Sequence, residues 1–155
     1  MQRAETNSHI LSRLHLQICI EYYAKFLAME HSSENLDFYE SVNYYHHEFD
    51  THKHTAQVKI APKIFSLYIK LDAPLSVNLP SKIRGKISPF FSDVKKRQNI
   101  QKDIFDEASK EIYTVMNRDS FARFRISDLW KEVRFSLTVY VRDDSSTLNA
   151  TLFSI

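Results

Sequence analysis

Gly85 is the only glycine in a chain of 155 residues. That scarcity constrains the fold more than any other feature. Hairpin turns use glycine where the backbone takes positive φ, and α/β folds use it in phosphate loops and at helix ends. A chain nearly without glycine is expected to be helices joined by polar loops. The length suits one domain, and a 43% hydrophobic fraction is enough for a core. The single cysteine, Cys19, lies in an apolar run, which excludes a disulfide framework and a cysteine-based zinc site. No signal-peptide pattern or apolar run of transmembrane length is visible, so a reducing, cytoplasmic setting is expected. The net charge of +2 is too small to imply a nucleic-acid partner.

Residues 10 to 27 are densely apolar and predict one or two helices buried on a wide face. The next helix presents Leu36, Tyr39, Val42, Tyr45 and Phe49 at spacings of three and four, then runs out in the polar "HHEFDTHKHT". Pro62 can start a further helix carrying Ile64, Phe65, Tyr68 and Ile69. Pro74 and Pro80 mark a loop that enters a short helix near Ser81. The clearest helix follows, with Asp103 as candidate cap and Phe105, Ala108, Ile112 and Val115 on one face. Asp119 and Ser127 are candidate caps for two more short helices. Beyond residue 133, Phe135, Leu137, Val139 and Val141 alternate, "RDDSS" reads as a turn, and Leu148 to Phe153 can return. That pattern predicts a strand or hairpin, so residues 12–133 are expected to form the domain and 134–155 a C-terminal extension.

Three polar clusters carry the candidate chemistry: "EHSSEN" at 30 to 35, "VN" at 77 and 78, and "MNRDSFARF" at 116 to 124. Each falls at a helix end or in a loop. Ser32 can cap the second helix, with Glu34 in its first turn, but one cap does not require the five hydrogen-bonding groups Glu30, Ser32, Ser33, Glu34 and Asn35. An asparagine amide such as that of Asn78 offers donors and an acceptor without charge. The Asp119 carboxylate accepts strong bonds from N–H or hydroxyl groups. Asp119 and Arg123 stand four apart in the favourable acid-first order. Each feature also has a plain structural reading: a helix entrance, a turn asparagine and a surface ion pair.

Taken with "NLDFYE", "KIFSLYI", "FDEASKEIYTVM" and "SDLW", the three clusters resemble the regulator of G-protein signalling (RGS) family over about residues 12 to 133. The resemblance implies an all-α domain: a four-helix bundle against a smaller bundle made from the two ends of the sequence. It implies a GTPase-activating protein for heterotrimeric G-protein α subunits, not itself an enzyme and without a cofactor. Gα supplies its own arginine and glutamine, and the domain stabilises the Gα switch regions in their transition-state shape. The resemblance assigns Glu30, Ser32 and Asn35 to a first contact cluster, and Asn78 to the asparagine that reaches toward the switch glutamine. Asp119 and Ser120 match the pair that receives a switch threonine, Arg123 the arginine that supports that aspartate, and Val115 an apolar contact. The alternative function is a scaffold that binds Gα or another signalling protein without accelerating hydrolysis. His31, Tyr39 and Pro80 depart from the family pattern, which bears on Gα subclass.

Two further clusters have weaker implications. Lys82, Arg84, Lys86, Lys95, Lys96, Arg97 and Lys102 form a basic stretch, expected to be a solvated face, with contact to an anionic membrane at the inner face of the plasma membrane as the alternative. His46, His47, His52 and His54 with Asp50 have irregular spacing and are expected to be solvated rather than metal-binding.

Overall fold

The structure, a computed structural model, describes residues 7–97 and 99–143. Every regular element among them is helical. In chain order these are α1 (Asn7–Met29), α2 (Glu34–Thr51), α3 (Lys53–Thr55), a π turn (Ala56–Ile60), α4 (Ala61–Ile64) and a second π turn (Phe65–Ile69). Then come α5 (Ser81–Ile87), a 3₁₀ turn (Ser88–Phe90), α6 (Val94–Arg97), α7 (Asp106–Arg118), α8 (Ser120–Phe124) and α9 (Asp128–Asp143). The chain divides into two compact units, Met1–Met29 with Phe121–Ile155, and Glu30–Ser120.

The first unit joins the two ends of the sequence, where α1 packs beside α9. Its aromatic side chains supply the contact. The Tyr23 ring meets Phe121 edge-on at 5.5 Å and Phe124 at 5.3 Å; Phe26 and Trp130 also close on Phe124, at 5.6 and 5.4 Å. Such pairs add to the large area each ring buries. Residues 10 to 27 form one continuous helix rather than two, and Leu16 and Met29 on it are exposed. Cys19 is half-buried, and burial pushes its thiol pKa up. Ser127 caps α9 as expected. Its Oγ accepts from the Trp130 N–H at 3.3 Å and donates to the Phe124 carbonyl at 2.7 Å.

The expected strand at residues 134 to 141 is not formed: α9 continues through it to Asp143. Alternating Phe135 and Leu137 suit a strand locally, but α9 is already nucleated by its cap. Extending a helix adds a hydrogen bond for each residue fixed. Burial follows the helical period: Val133 is buried, Leu137 half-buried and Phe135 72% exposed. The expected turn and return strand at 144 to 155 lie outside the described residues.

The second unit is organised around the seam between α2 and α7. Phe38, Val42 and Tyr45 are fully buried on α2, and Phe105, Ala108 and Ile112 on and just before α7. The Tyr45 ring meets Phe105 at 5.3 Å, and its hydroxyl donates to the Gln101 carbonyl at 2.8 Å. Burial and the nearby Asp103 and Asp106 carboxylates push the Tyr45 pKa well above the usual phenol range. Gln57, also buried, donates to the Ile100 carbonyl at 2.8 Å. The long approach to α7 is thereby held by two buried side chains. Asp103 does not cap α7; its carbonyl accepts from the Asp106 N–H at 3.0 Å, closing a turn, and the helix starts at Asp106.

The polar "HHEFDTHKHT" does not become a loop. Only His52, at φ −138° and ψ 57°, breaks the helical path, and residues 53–69 are helical throughout. Pro62 therefore does not open a new helix; it lies inside this run. Its missing N–H and its ring, which crowds the carbonyl four residues back, are accommodated because a widened π turn immediately precedes α4.

The lone glycine is not a turn residue either. Gly85 sits exposed in α5 without positive φ, and a Cβ there would meet nothing within 4 Å. Gly85→Ala should therefore stabilise the fold by about 0.5–1 kcal/mol, measured as a higher urea midpoint. A lower midpoint would show that the glycine is needed where it stands.

Candidate functional site

The first polar cluster forms the entry to α2. Glu30 and His31 turn the chain, and His31 adopts φ 53°, a left-handed conformation that histidine tolerates better than most non-glycine residues. Ser32 does not cap the helix. Ser33 occupies the cap position, already in helical geometry (φ −69°, ψ −23°), and makes no side-chain cap bond. A capping side chain needs extended backbone to fold back onto the first turn. The Ser33 carbonyl instead accepts from the Asp37 N–H at 3.0 Å. Ser32 Oγ is left buried with no hydrogen-bond partner among the described residues. Glu34 and Asp37 place negative charge in the first turn, where the helix dipole favours it. Asn35 is half-buried.

The part of the third cluster that ends α7 lies beside this entry. Tyr39 of α2 meets Tyr113 of α7 with ring centroids 5.7 Å apart. His46, further along α2, meets Asp106, further back on α7, at 2.9 Å. The helices are therefore antiparallel, and one turn before Tyr39 brings Asn35 abreast of Asn117. Arg118 ends α7, and Asp119 follows it, exposed, with φ −111° and ψ −80°. The Asp119 N–H donates to the Val115 carbonyl at 3.0 Å, and Val115 is half-buried. Ser120 is buried, its Oγ 3.3 Å from the Met116 carbonyl it donates to.

Asn78 is tied to the same end. Phe38, one turn into α2, meets the Tyr68 ring at 5.7 Å, and the Tyr68 carbonyl accepts from the Val77 N–H at 3.0 Å. Val77 is buried, which leaves Asn78 exposed as the next residue. The loop is held by Arg84, whose guanidinium donates to the carbonyls of Ile69, Lys70 (3.4 Å) and Val77 (3.3 Å). The Ile69 and Lys70 carbonyls end a helical run and lack partners within it. Arg84 gathers them and fastens the far side of the loop with the same group.

This corrects the reading of the basic stretch as one solvated face. Arg84 and Arg97 are half-buried and donate to backbone carbonyls, Arg97 to that of Phe91 at 3.1 Å. Lys86 pairs with Glu107 and Lys102 with Asp50, both at 2.5 Å. Lys82, Lys95 and Lys96 are exposed. Glu30, Ser32, Asn35, Asn78, Val115, Asp119 and Ser120 all belong to the second unit, and Arg123, exposed on α8, belongs to the first.

Among the described residues no group of histidine, cysteine and carboxylate side chains could hold a metal. His46 Nε2 lies close enough to Asp106 for an ion pair when protonated, though not aligned as a hydrogen bond, and His52 lies 3.2 Å from Glu48. The sequence reading missed Arg84 as the brace of the Asn78 loop. It also missed Tyr113, 52% exposed beside the candidate site. An aromatic side chain on the exposed face of an otherwise amphipathic helix is the signal that could have found it.

A family model described as the regulator of G protein signaling domain matches residues 10–133. The chain belongs to this family. It is 30% identical over 115 residues to human regulator of G-protein signaling 13, covering 72% of this chain and 64% of that protein. It is 31% identical over 113 residues to regulator of G-protein signaling rgs-2 of Caenorhabditis elegans, covering 73% and 62%. With bovine regulator of G-protein signaling 20 it shares 34% over 116 residues, covering 75% and 29%. The chain thus spans less than two-thirds of the length of these relatives. As an RGS domain it is all-α, with one bundle formed from the two ends of the sequence and the polar joints in the other unit.

If Arg84 braces this RGS loop, Arg84→Ala should destabilise the protein by about 1.5–3 kcal/mol, the range for a hydrogen-bonded charged group. Hydrogen exchange should show the loss of protection concentrated at Val77, whose N–H closes the loop. Unchanged protection there would reduce Arg84 to a surface residue.

Proposed function

We propose that this domain accelerates GTP hydrolysis by heterotrimeric G-protein α subunits and does no bond chemistry itself. The observation that carries this reading is the meeting of polar joints at one end of the α2–α7 pair. The entry to α2, the exit from α7 and the braced Asn78 loop share that end. Such a surface suits a partner with exposed backbone and hydroxyl groups. Family membership supplies the partner class.

In this mechanism Gα contributes the cis arginine and the water-orienting glutamine. The domain contributes fixed polar contacts to the switch segments, made best when those segments have their transition-state shape. Asn78 orients the switch glutamine through its amide without adding charge. Asp119 and Ser120 accept a switch hydroxyl. Glu30, Ser32 and Asn35 hold the neighbouring backbone, and Val115 supplies an apolar contact. The Arg84 brace matters because a contact that is already positioned needs no reorganisation during the reaction.

Single-turnover GTP hydrolysis by Gα, with and without this domain, tests the proposal. Asn78→Ala should lower the acceleration while leaving the helical circular dichroism unchanged. The loss should be smaller than the roughly 100-fold seen on removing an oxyanion donor, since Gα keeps its own catalytic groups. Binding should be strongest to Gα carrying a γ-phosphate transition-state mimic and weak to the GDP form. A ligand with equal affinity for both forms shifts no equilibrium; that outcome would make the domain a scaffold.

A further inference from the structure

α1 carries a core face that runs past its cover. Leu16 stands seven residues before Tyr23 and eleven before Leu27, close to two and three turns, so the three share one side of the helix. Tyr23 and Leu27 are buried on that side, yet Leu16 is 62% exposed. The ring contacts that hold α1 run from Tyr23 and Phe26 to Phe121 and Phe124, all in its C-terminal half. The polar side is elsewhere. Arg13, Gln17, Glu21 and Lys25, all exposed, follow one another at four-residue spacing, and the Gln17 amide donates to Glu21 at 3.0 Å. A scattered exposed leucine is ordinary. A leucine bare on the face that is core two turns later marks a missing neighbour.

α9 shows the converse. Val133 is fully buried and Leu137, one turn on, is half-buried, which marks the side turned into the bundle. Phe135 lies about 200° around the helix from Val133 and is 72% exposed. Its ring therefore cannot serve the contact between α9 and α1 of its own copy. One unit thus holds both a bare apolar face and a large aromatic ring left in solvent.

We propose that two copies of the chain pair through this unit about a two-fold axis, the Phe135 ring of each seated against Leu16 of the other. Such an interface is self-complementary, since each contact occurs twice. Two long helices side by side are half of a four-helix bundle, and the second copy supplies the other half. Any other partner would have to bring a ring for one place and a bare face for the other; a second copy has both. Two phenyl rings of about 150–250 Å² each, with the faces that receive them, bury on the order of 1,000 Å² in all, the lower limit for a specific interface. The dimer is therefore weak, half-formed at about 10–100 µM. The inference is independent of Gα, because neither Leu16 nor Phe135 is among the proposed Gα contacts.

Sedimentation velocity of the whole chain, from about 2 to 200 µM, brackets that range. The sedimentation coefficient should rise with concentration toward that of a dimer. Leu16→Gln and Phe135→Ser each remove one half of the contact at an exposed position, so the helical circular dichroism should be unchanged. Each should raise the concentration of half-dimerisation at least about tenfold. Ile126→Ser, at an 84% exposed position of the same unit, should leave it unchanged. In a mixture of isotope-labelled and unlabelled chains, the Leu16 methyls of one copy should show nuclear Overhauser contacts to the Phe135 ring of the other. A monomer at every concentration would overturn the proposal; if Leu16 then contacted residues 144–155 of its own chain, that segment would be the cover. Dimerisation that Leu16→Gln and Phe135→Ser leave unchanged, or that Ile126→Ser weakens as much, would also overturn it.

Discussion

Tyr45 lies fully buried where α2 faces the start of α7, its ring edge-on to Phe105 and its hydroxyl on the Gln101 carbonyl. The ring holds the two helices at a fixed depth, and the hydroxyl anchors the chain that leads into α7. Tyr39 with Tyr113 and His46 with Asp106 then follow in antiparallel register. That register decides which polar residues share an end of the pair. A slip of one turn would leave Asn35 beside Tyr113 instead of the α7 exit. The candidate site is thus a consequence of core packing several residues away.

The loop carrying Asn78 depends on a different device. A helical run that ends in a π turn leaves carbonyls pointing past its last residue. Arg84 reaches back from α5 to collect them, and takes the Val77 carbonyl from the other side of the same loop. The charge is spent on backbone acceptors, where hydrogen bonds to an ionised donor are stronger than neutral ones. The exposed asparagine therefore rides on a loop fastened from beneath by Arg84 and by the buried Val77.

The unpaired buried atoms stand out against this accounting. Most buried polar groups in the second unit are satisfied within it, as Gln57 and Tyr45 illustrate. Ser32 Oγ, His46 Nε2 and Arg97 Nε have no hydrogen-bond partner among the described residues. Ser32 Oγ lies at the end where the polar joints gather, and His46 Nε2 lies 2.9 Å from Asp106 on the α2–α7 seam.

The all-α class and the order of the helices could be read from the sequence, because glycine scarcity and three-and-four spacing act locally and survive any tertiary arrangement. The polar joints could be located too, since helix ends carry recognisable residues. Three features could not. The strand expected at Phe135 to Val141 became helix because Ser127 had already started α9 and Val133 packs in its bundle; local alternation cannot compete with a nucleated ladder. Ser32 had the right type for a cap but stands one residue before the cap position, which Ser33 fills in helical geometry. Arg84 looked like one base among seven because sequence records a charge without its direction. The sequence by itself determined what kinds of side chains stand at each joint. Only the tertiary structure decided which joints meet and which charges turn inward, because both depend on contacts between residues distant along the chain.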